Sequence, residues 1–172
     1  IQSHSSFLLA QRITLLVNRY EYLLYDNDVK GEVIAFVEQK RFAFRESVTV
    51  WQNESKSEPL FTINAEKLLD IHGKFLVKDA GGNLIGYCRK VFGSSLLRST
   101  WEICGADGTV LFVAREANPT IAIVRRVMQF IPYLADIAPF VPMNFIFEKD
   151  GTVVGTHTRV WGTLYDQYAL KI

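Results

Sequence analysis

A mainly β fold is what this sequence predicts, with eleven or twelve short antiparallel strands in one domain and a single amphipathic helix set between them. Three observations lead there. One hairpin pattern is written twice, as FLVKDAGGNLIGYCRKVFG over Phe75–Gly93 and as FIFEKDGTVVGTHTRVWG over Phe145–Gly162. Each copy has an apolar run, an Asp/Gly-rich turn, two aliphatics, a glycine, three residues, a cation, a valine, an aromatic and a glycine. A third hairpin lies between them, turning through Gly105-Ala106-Asp107-Gly108, and Asp-Gly between apolar runs is a strong short-range hairpin signal. Helical periodicity occurs once in the whole chain. Strands joined as sequential hairpins suit a sandwich or a barrel, and the barrel is preferred because closure removes exposed edges.

Taken in order, Ser6 to Val17 is apolar with Gln11 and Arg12 in its middle and reads as strand beside its β neighbours. Tyr20–Tyr25 and Val33–Lys40 form a hairpin through Asp26-Asn27-Asp28 and Gly31, residues that tolerate turn backbone. Arg41–Trp51 alternates with period two, which predicts one buried and one wet face. The polar run Gln52–Pro59 is a turn from which Leu60–Ile63 returns. Leu68–Ile71 is a short strand and His72-Gly73 a bend before the first copy of the repeat. Leu96–Cys104 and Thr109–Arg115 are the arms of the third hairpin. Asn118 then suits a helix cap and Pro119 a first helical position, with Ile121, Val124, Val127, Met128 and Ile131 on one face until Pro132. Tyr133–Pro142 is a proline-broken connection, and Thr163–Ile172 is a closing strand.

Composition sets the limits of the class. The 172 residues suit one domain over 1–172, 49% of them hydrophobic and 13% aromatic, which excludes a disordered chain. A net charge of +1 supplies no global field for DNA or RNA, so no nucleic-acid partner is expected and any anion site must be local. Cys88 and Cys104 lie in strand-like runs without a ligand-spaced partner, which predicts free thiols in a reducing, cytoplasmic compartment. No leader is visible, and uncharged apolar runs stay below the roughly 20 residues of a spanning helix; Ile137–Phe147 carries two prolines. A soluble chain is the expectation.

The runs Val37-Glu38-Gln39-Lys40-Arg41, Phe92-Gly93-Ser94-Ser95-Leu96-Leu97-Arg98-Ser99-Thr100-Trp101 and Gly155–Gly162 resemble the LURP-one-related proteins and their relatives the phospholipid scramblases, both of the tubby C-terminal-like group. The likeness covers about Arg12 to Ile172. Phe92–Trp101 is its most specific part, and Gly155-x-x-x-Arg159-x-Trp161-Gly162 is similar to scramblases in particular. The resemblance implies a twelve-stranded antiparallel barrel around a hydrophobic C-terminal helix. The sequence stops at Ile172, before the position of that helix, so either the chain is truncated there or the helix is absent. Scramblases carry an acidic calcium loop after the Trp-Gly hairpin, but Leu164–Tyr168 offers only Asp166, and calcium needs six to eight oxygens. No calcium site is carried over.

No acid–base or nucleophilic constellation emerges. His4, His72 and His157 have no acid or thiol at informative spacing, Ser94-Ser95 resemble no nucleophile elbow, and Ala80-Gly81-Gly82-Asn83 precede no helix and make a turn. No catalytic residue, metal or cofactor is assigned, and no enzyme is expected. The basic residues Lys40, Arg41, Arg45, Lys90, Arg98, Arg125 and Arg126 are candidates for lipid phosphate, set against the plainer reading of solvated faces neutralised by Glu38, Glu46 and Glu102. Phe130, Ile131 and Tyr133 are candidates for an apolar membrane contact, although the favoured reading has the helix capping one barrel end as ordinary core. The expected function is a non-enzymatic phospholipid or membrane-surface binding module, cytoplasmic and peripheral to the membrane, with anionic phospholipid as partner. The alternative is a soluble scaffold that binds a protein.

Overall fold

A computed structural model describes residues 4–13, 17–27, 29–40, 47–66, 73–96, 98–130, 141–163 and 166–172. Twelve strands follow the chain: β1 Ser6–Ile13, β2 Val17–Asp26, β3 Val29–Lys40, β4 Ser47–Trp51, β5 Pro59–Ala65, β6 Lys74–Asp79, β7 Leu84–Lys90, β8 Thr100–Gly105, β9 Val110–Glu116, β10 Phe145–Lys149, β11 Thr152–Arg159 and β12 Gln167–Lys171. The helix α1, Pro119–Gln129, stands between β9 and β10. Every strand pairs antiparallel with its sequence neighbour, and β12 pairs with β1 to close the barrel. The closing strand expected in Thr163–Ile172 is β12. Closure leaves no backbone ladder unpaired at an edge.

The tight turns use the chemistry their residues allow. Asp150 and Gly151 both have positive φ, +50° and +78°, the mirror-image turn whose twist matches that of the flanking strands. At the equivalent turn of the first copy, Asp79 accepts from the backbone N–H of Asn83 at 2.8 Å and from its side-chain amide at 3.0 Å. The recurring glycine of the repeat has a steric cause. A Cβ on Gly86 would lie 2.5 Å from the Cys104 carbonyl oxygen, and one on Gly155 would lie 2.8 Å from that of Lys171. Each glycine admits the neighbouring strand where a register shift interrupts its hairpin, beside Val77/Lys78 in one copy and Phe147/Glu148 in the other.

Residues opposed in an antiparallel ladder share a face, so the pairings trace the barrel interior. Phe145 faces His157, His157 faces Leu170 and Leu170 faces Phe7. Tyr22–Ala35 and Val50–Phe61 continue the belt, and Ile103–Phe112 lines the opposite wall. Many of these side chains are only half-buried. Two apolar cavities of about 250 and 240 Å³ open between them and share Leu170 and Ile172 as walls. Eight strands make a barrel that its own side chains just fill, so twelve enclose more room than these side chains occupy. The tightest core is to one side, where Ala35, Val37 and Val50 pack with Tyr20, Tyr22 and Phe61.

One expectation needs adjustment, and others fall partly or wholly outside the described residues. The strand expected from Leu96 is replaced by a one-turn 3-10 helix, Ser94–Leu96, and β8 begins only at Thr100. The cause is Ser95, whose buried hydroxyl accepts from the Thr100 N–H and donates to the Thr100 carbonyl, both at 3.0 Å, folding the chain back on itself. Of the strand expected over Arg41–Trp51, the described part is Ser47–Trp51. The strand expected over Leu68–Ile71 and most of the connection Tyr133–Pro142 lie outside the described residues. Cys88 and Cys104 are free thiols on opposite faces of adjacent strands, as the β7–β8 pairing Cys88–Ile103 requires.

Candidate functional site

Strand directions give the barrel two unlike ends. The hairpin end collects the turns after β2, β6, β8 and β10 and the seven-residue link after β4, together with Ser6 and Ile172. The other end, called here the helical end, collects the longer connections: residues 91–99, α1, residues 141–144 and residues 160–166. Every arginine among the described residues lies at the helical end, in a strand half nearest it or in its connections. The hairpin end carries Asp79, Asp107 and Asp150 at its turns, and its cations are lysines such as Lys30 and Lys149.

Most of those arginines are matched by acids. Arg12 contacts Glu21 at 2.9 Å, Arg89 contacts Glu102 at 2.6 Å and Arg159 contacts Asp166 at 2.6 Å, with the Arg159 guanidinium 5.3 Å from the Trp161 ring. Such half-exposed pairs stabilise the fold little, but they lower the net positive charge of the rim.

Helix α1 is built as the sequence predicts and oriented the opposite way. Asn118 caps it, accepting from the Ile121 N–H at 3.1 Å, and Pro119 opens the first turn. The inward side carries Ala122 and Arg125, while Ile121, Ile123, Val124 and Val127 are 40–52% exposed and Phe130 is 87% exposed. The expectation that the apolar face caps the barrel as core is therefore corrected. Its physical reason is Glu116, at the end of β9 and only 2% exposed, whose carboxylate receives Arg125 at 2.5 Å and the Ser99 N–H at 2.9 Å. A buried carboxylate left without a cation is costly, so the helix turns its arginine inward, with Ala122 buried on the same side. The aliphatic arc then faces out.

The sequence-derived candidates fall as follows. Lys40 ends β3 and Lys90 ends β7, both at the helical end, and Lys90 is exposed. Arg98 is half-buried on the outer wall beside the 3-10 turn, and Arg126 is half-buried on α1. Arg125 is sequestered by Glu116, so its charge is turned away from any outside ligand. Arg41, Arg45, Ile131 and Tyr133 lie outside the described residues. The topology thus gathers the described basic candidates and Phe130 at one end. Sequence reasoning did not single out Glu116 as the helix anchor or Arg115 as a neighbour of Arg98. It also gave no surface role to Phe92 and Trp161, the aromatics of the repeat, which stand 57% and 68% exposed at this same end. Their recurrence in the two copies was the available signal.

A polar recess of about 250 Å³ also lies on the outer wall here, lined by Val91, Ser94, Arg98, Thr100, Glu102, Val113 and Arg115. The arrangement as a whole offers apolar surface, guanidinium groups and hydroxyls. Among the described residues no three His, Cys, Asp or Glu side chains come together as a metal site, and no helix is long and apolar enough to cross a membrane. A family model described as LURP-one-related matches residues 33–172. No curated protein and no solved structure shows significant similarity to the chain.

Proposed function

The chain belongs to the LURP-one-related family, and from that premise we propose that it is a non-enzymatic phospholipid-binding module that docks on a membrane surface by its helical end. The observation that carries the reading is the outward aliphatic face of α1, with Phe130 at its end, on the end of the barrel that holds all the described arginines. An amphipathic helix with its apolar side out and cations around it fits the boundary between headgroups and acyl chains. Fully burying one side chain such as Phe130 or Val127 contributes about 1.5–3 kcal/mol, so a few of them suffice for reversible binding. Phe92 and Trp161 are exposed at the same end of the barrel, and tryptophan suits a membrane interface because one part of its ring system is apolar and the other is wet. The resemblance of Gly155–Gly162 to scramblases points the same way. The free cysteines fit a cytoplasmic site of action.

Vesicle flotation tests the proposal. The protein is expected to float with anionic vesicles, less with neutral ones, and less again as salt screens the arginine rim. Replacing Val127→Asp and Phe130→Asp together is expected to weaken flotation about tenfold or more while leaving the fold intact, since both side chains are already exposed. Equal failure to bind either vesicle sinks the proposal. A second reading, a scaffold that seats a protein partner on the same apolar face, is favoured by the acids that neutralise much of the rim. Failure to float with either vesicle would favour it.

A further inference from the structure

We infer that the outer-wall recess between β8, β9 and the 91–99 connection is a binding site for a phosphate monoester, carried either by a lipid headgroup or by a soluble ester. The site itself stands apart from the membrane reading; only its lipid source rests on it. The recess holds about 250 Å³, a volume suited to a small polar group. Arg98 and Arg115 both line it. Arg98 makes no ion pair among the described residues, and the Nε of Arg115 is 3.3 Å from Glu148 Oε2, a loose pair with which an anion can compete. The Ser94 hydroxyl makes only a long 3.4 Å bond to the Val91 carbonyl. The single acid of the lining, Glu102, is engaged by Arg89 through Nη2 at 2.6 Å and Nε at 2.7 Å, so its charge is already met.

The frame around Arg98 is held firmly for a surface connection. Ser95 ties both backbone groups of Thr100, which is 4% exposed beneath the connection. Val91 donates to the Thr100 carbonyl at 3.0 Å, and the Glu116 N–H donates to the Ser99 carbonyl at 2.9 Å. The Ser99 N–H in turn is held by the Glu116 carboxylate. The backbone that follows Arg98 is therefore pinned at Ser99 and Thr100, and an unpaired cation beside a fixed support favours an anion. A phosphate monoester fits better than a carboxylate, because its three terminal oxygens accept from two guanidinium forks and a hydroxyl together, whereas a carboxylate is filled by one fork.

The test titrates the isotope-labelled protein with inorganic phosphate and with glycerol 3-phosphate, and floats it on phosphatidylcholine vesicles containing phosphatidic acid or an equal surface charge of phosphatidylserine. Amide shifts are expected to concentrate at Val91, Ser94, Thr100 and Val113. Arg98→Ala is expected to weaken phosphate binding about tenfold or more, with Arg98→Lys intermediate because it keeps the charge and loses the fork. A lipid source predicts a preference for phosphatidic acid that glycerol 3-phosphate competes away; a soluble source predicts saturation by the ester with no such preference. Either pattern, if Arg98-dependent, supports the site. No response to either source, or a response that Arg98→Ala and Arg115→Gln both leave unchanged, overturns it. Vesicle binding that persists without any Arg98 dependence overturns the recess and leaves docking by α1 standing. Near-ultraviolet circular dichroism of each variant confirms that the fold is retained.

Discussion

Two side chains, one buried and one half-buried, do more for this molecule than their sequence context announces. Glu116 joins three elements through one carboxylate, holding Arg125 of α1 and the Ser99 N–H while ending β9. Glu116→Gln leaves the Arg125 guanidinium buried without a counter-charge and is expected to destabilise the fold by about 3 kcal/mol in urea unfolding. Replacing both partners with apolar residues, Glu116→Leu with Arg125→Met, is expected to recover most of that loss. His157 is the second case. Its ring stacks on Tyr168 at 4.7 Å inside the barrel, and burial holds its pKa below the ordinary 6.5. As pH falls through about 6.5 the unfolded chain takes up a proton that native His157 does not, so this group removes stability from near pH 7 downward. The melting temperature should fall between about pH 7 and 5, and His157→Phe, which keeps the stack, should flatten that part of the profile. Neither role was legible beforehand. An arginine in a helix carries no mark of burial in the sequence; its ion pair with Glu116, on another element, is what makes it internal.

The duplicated hairpin was legible in its turns, its length and its recurring glycine, because those features are local. The reason for the glycine was not, since Gly86 meets the Cys104 carbonyl and Gly155 meets that of Lys171, each on a different strand. Gly86→Ala and Gly155→Ala are each expected to lower stability by about 1–3 kcal/mol, whereas Gly93→Ala, with nothing within 4 Å of the added carbon, serves as a neutral control in the same denaturation series. The strand read from Leu96 begins only at Thr100, because apolar character alone cannot announce a serine that folds the backbone back. Helix α1 shows the same boundary. Periodicity assigned its existence, its cap and its two faces, but which face turns inward was decided by Glu116 on another element.

At the scale of the whole molecule, antiparallel alternation divides the connections between two ends. The Asp/Gly turns after β6, β8 and β10 gather at one end, and the described arginines and the exposed face of α1 gather at the other. Counting hairpins narrowed the fold to a sandwich or a barrel, and the cost of exposed edges favoured the barrel that is found; the polarity of the two ends required the strand directions as well. Docking by the helical end is the central claim, and hydrogen–deuterium exchange with and without anionic vesicles tests it most directly. The account predicts slowed exchange in α1 and in the connections that carry Phe92 and Trp161, with the turns at Asp79–Asn83, Gly105–Gly108 and Asp150-Gly151 unchanged. Protection at those turns, or none at the helical end under conditions where the protein floats, would contradict it.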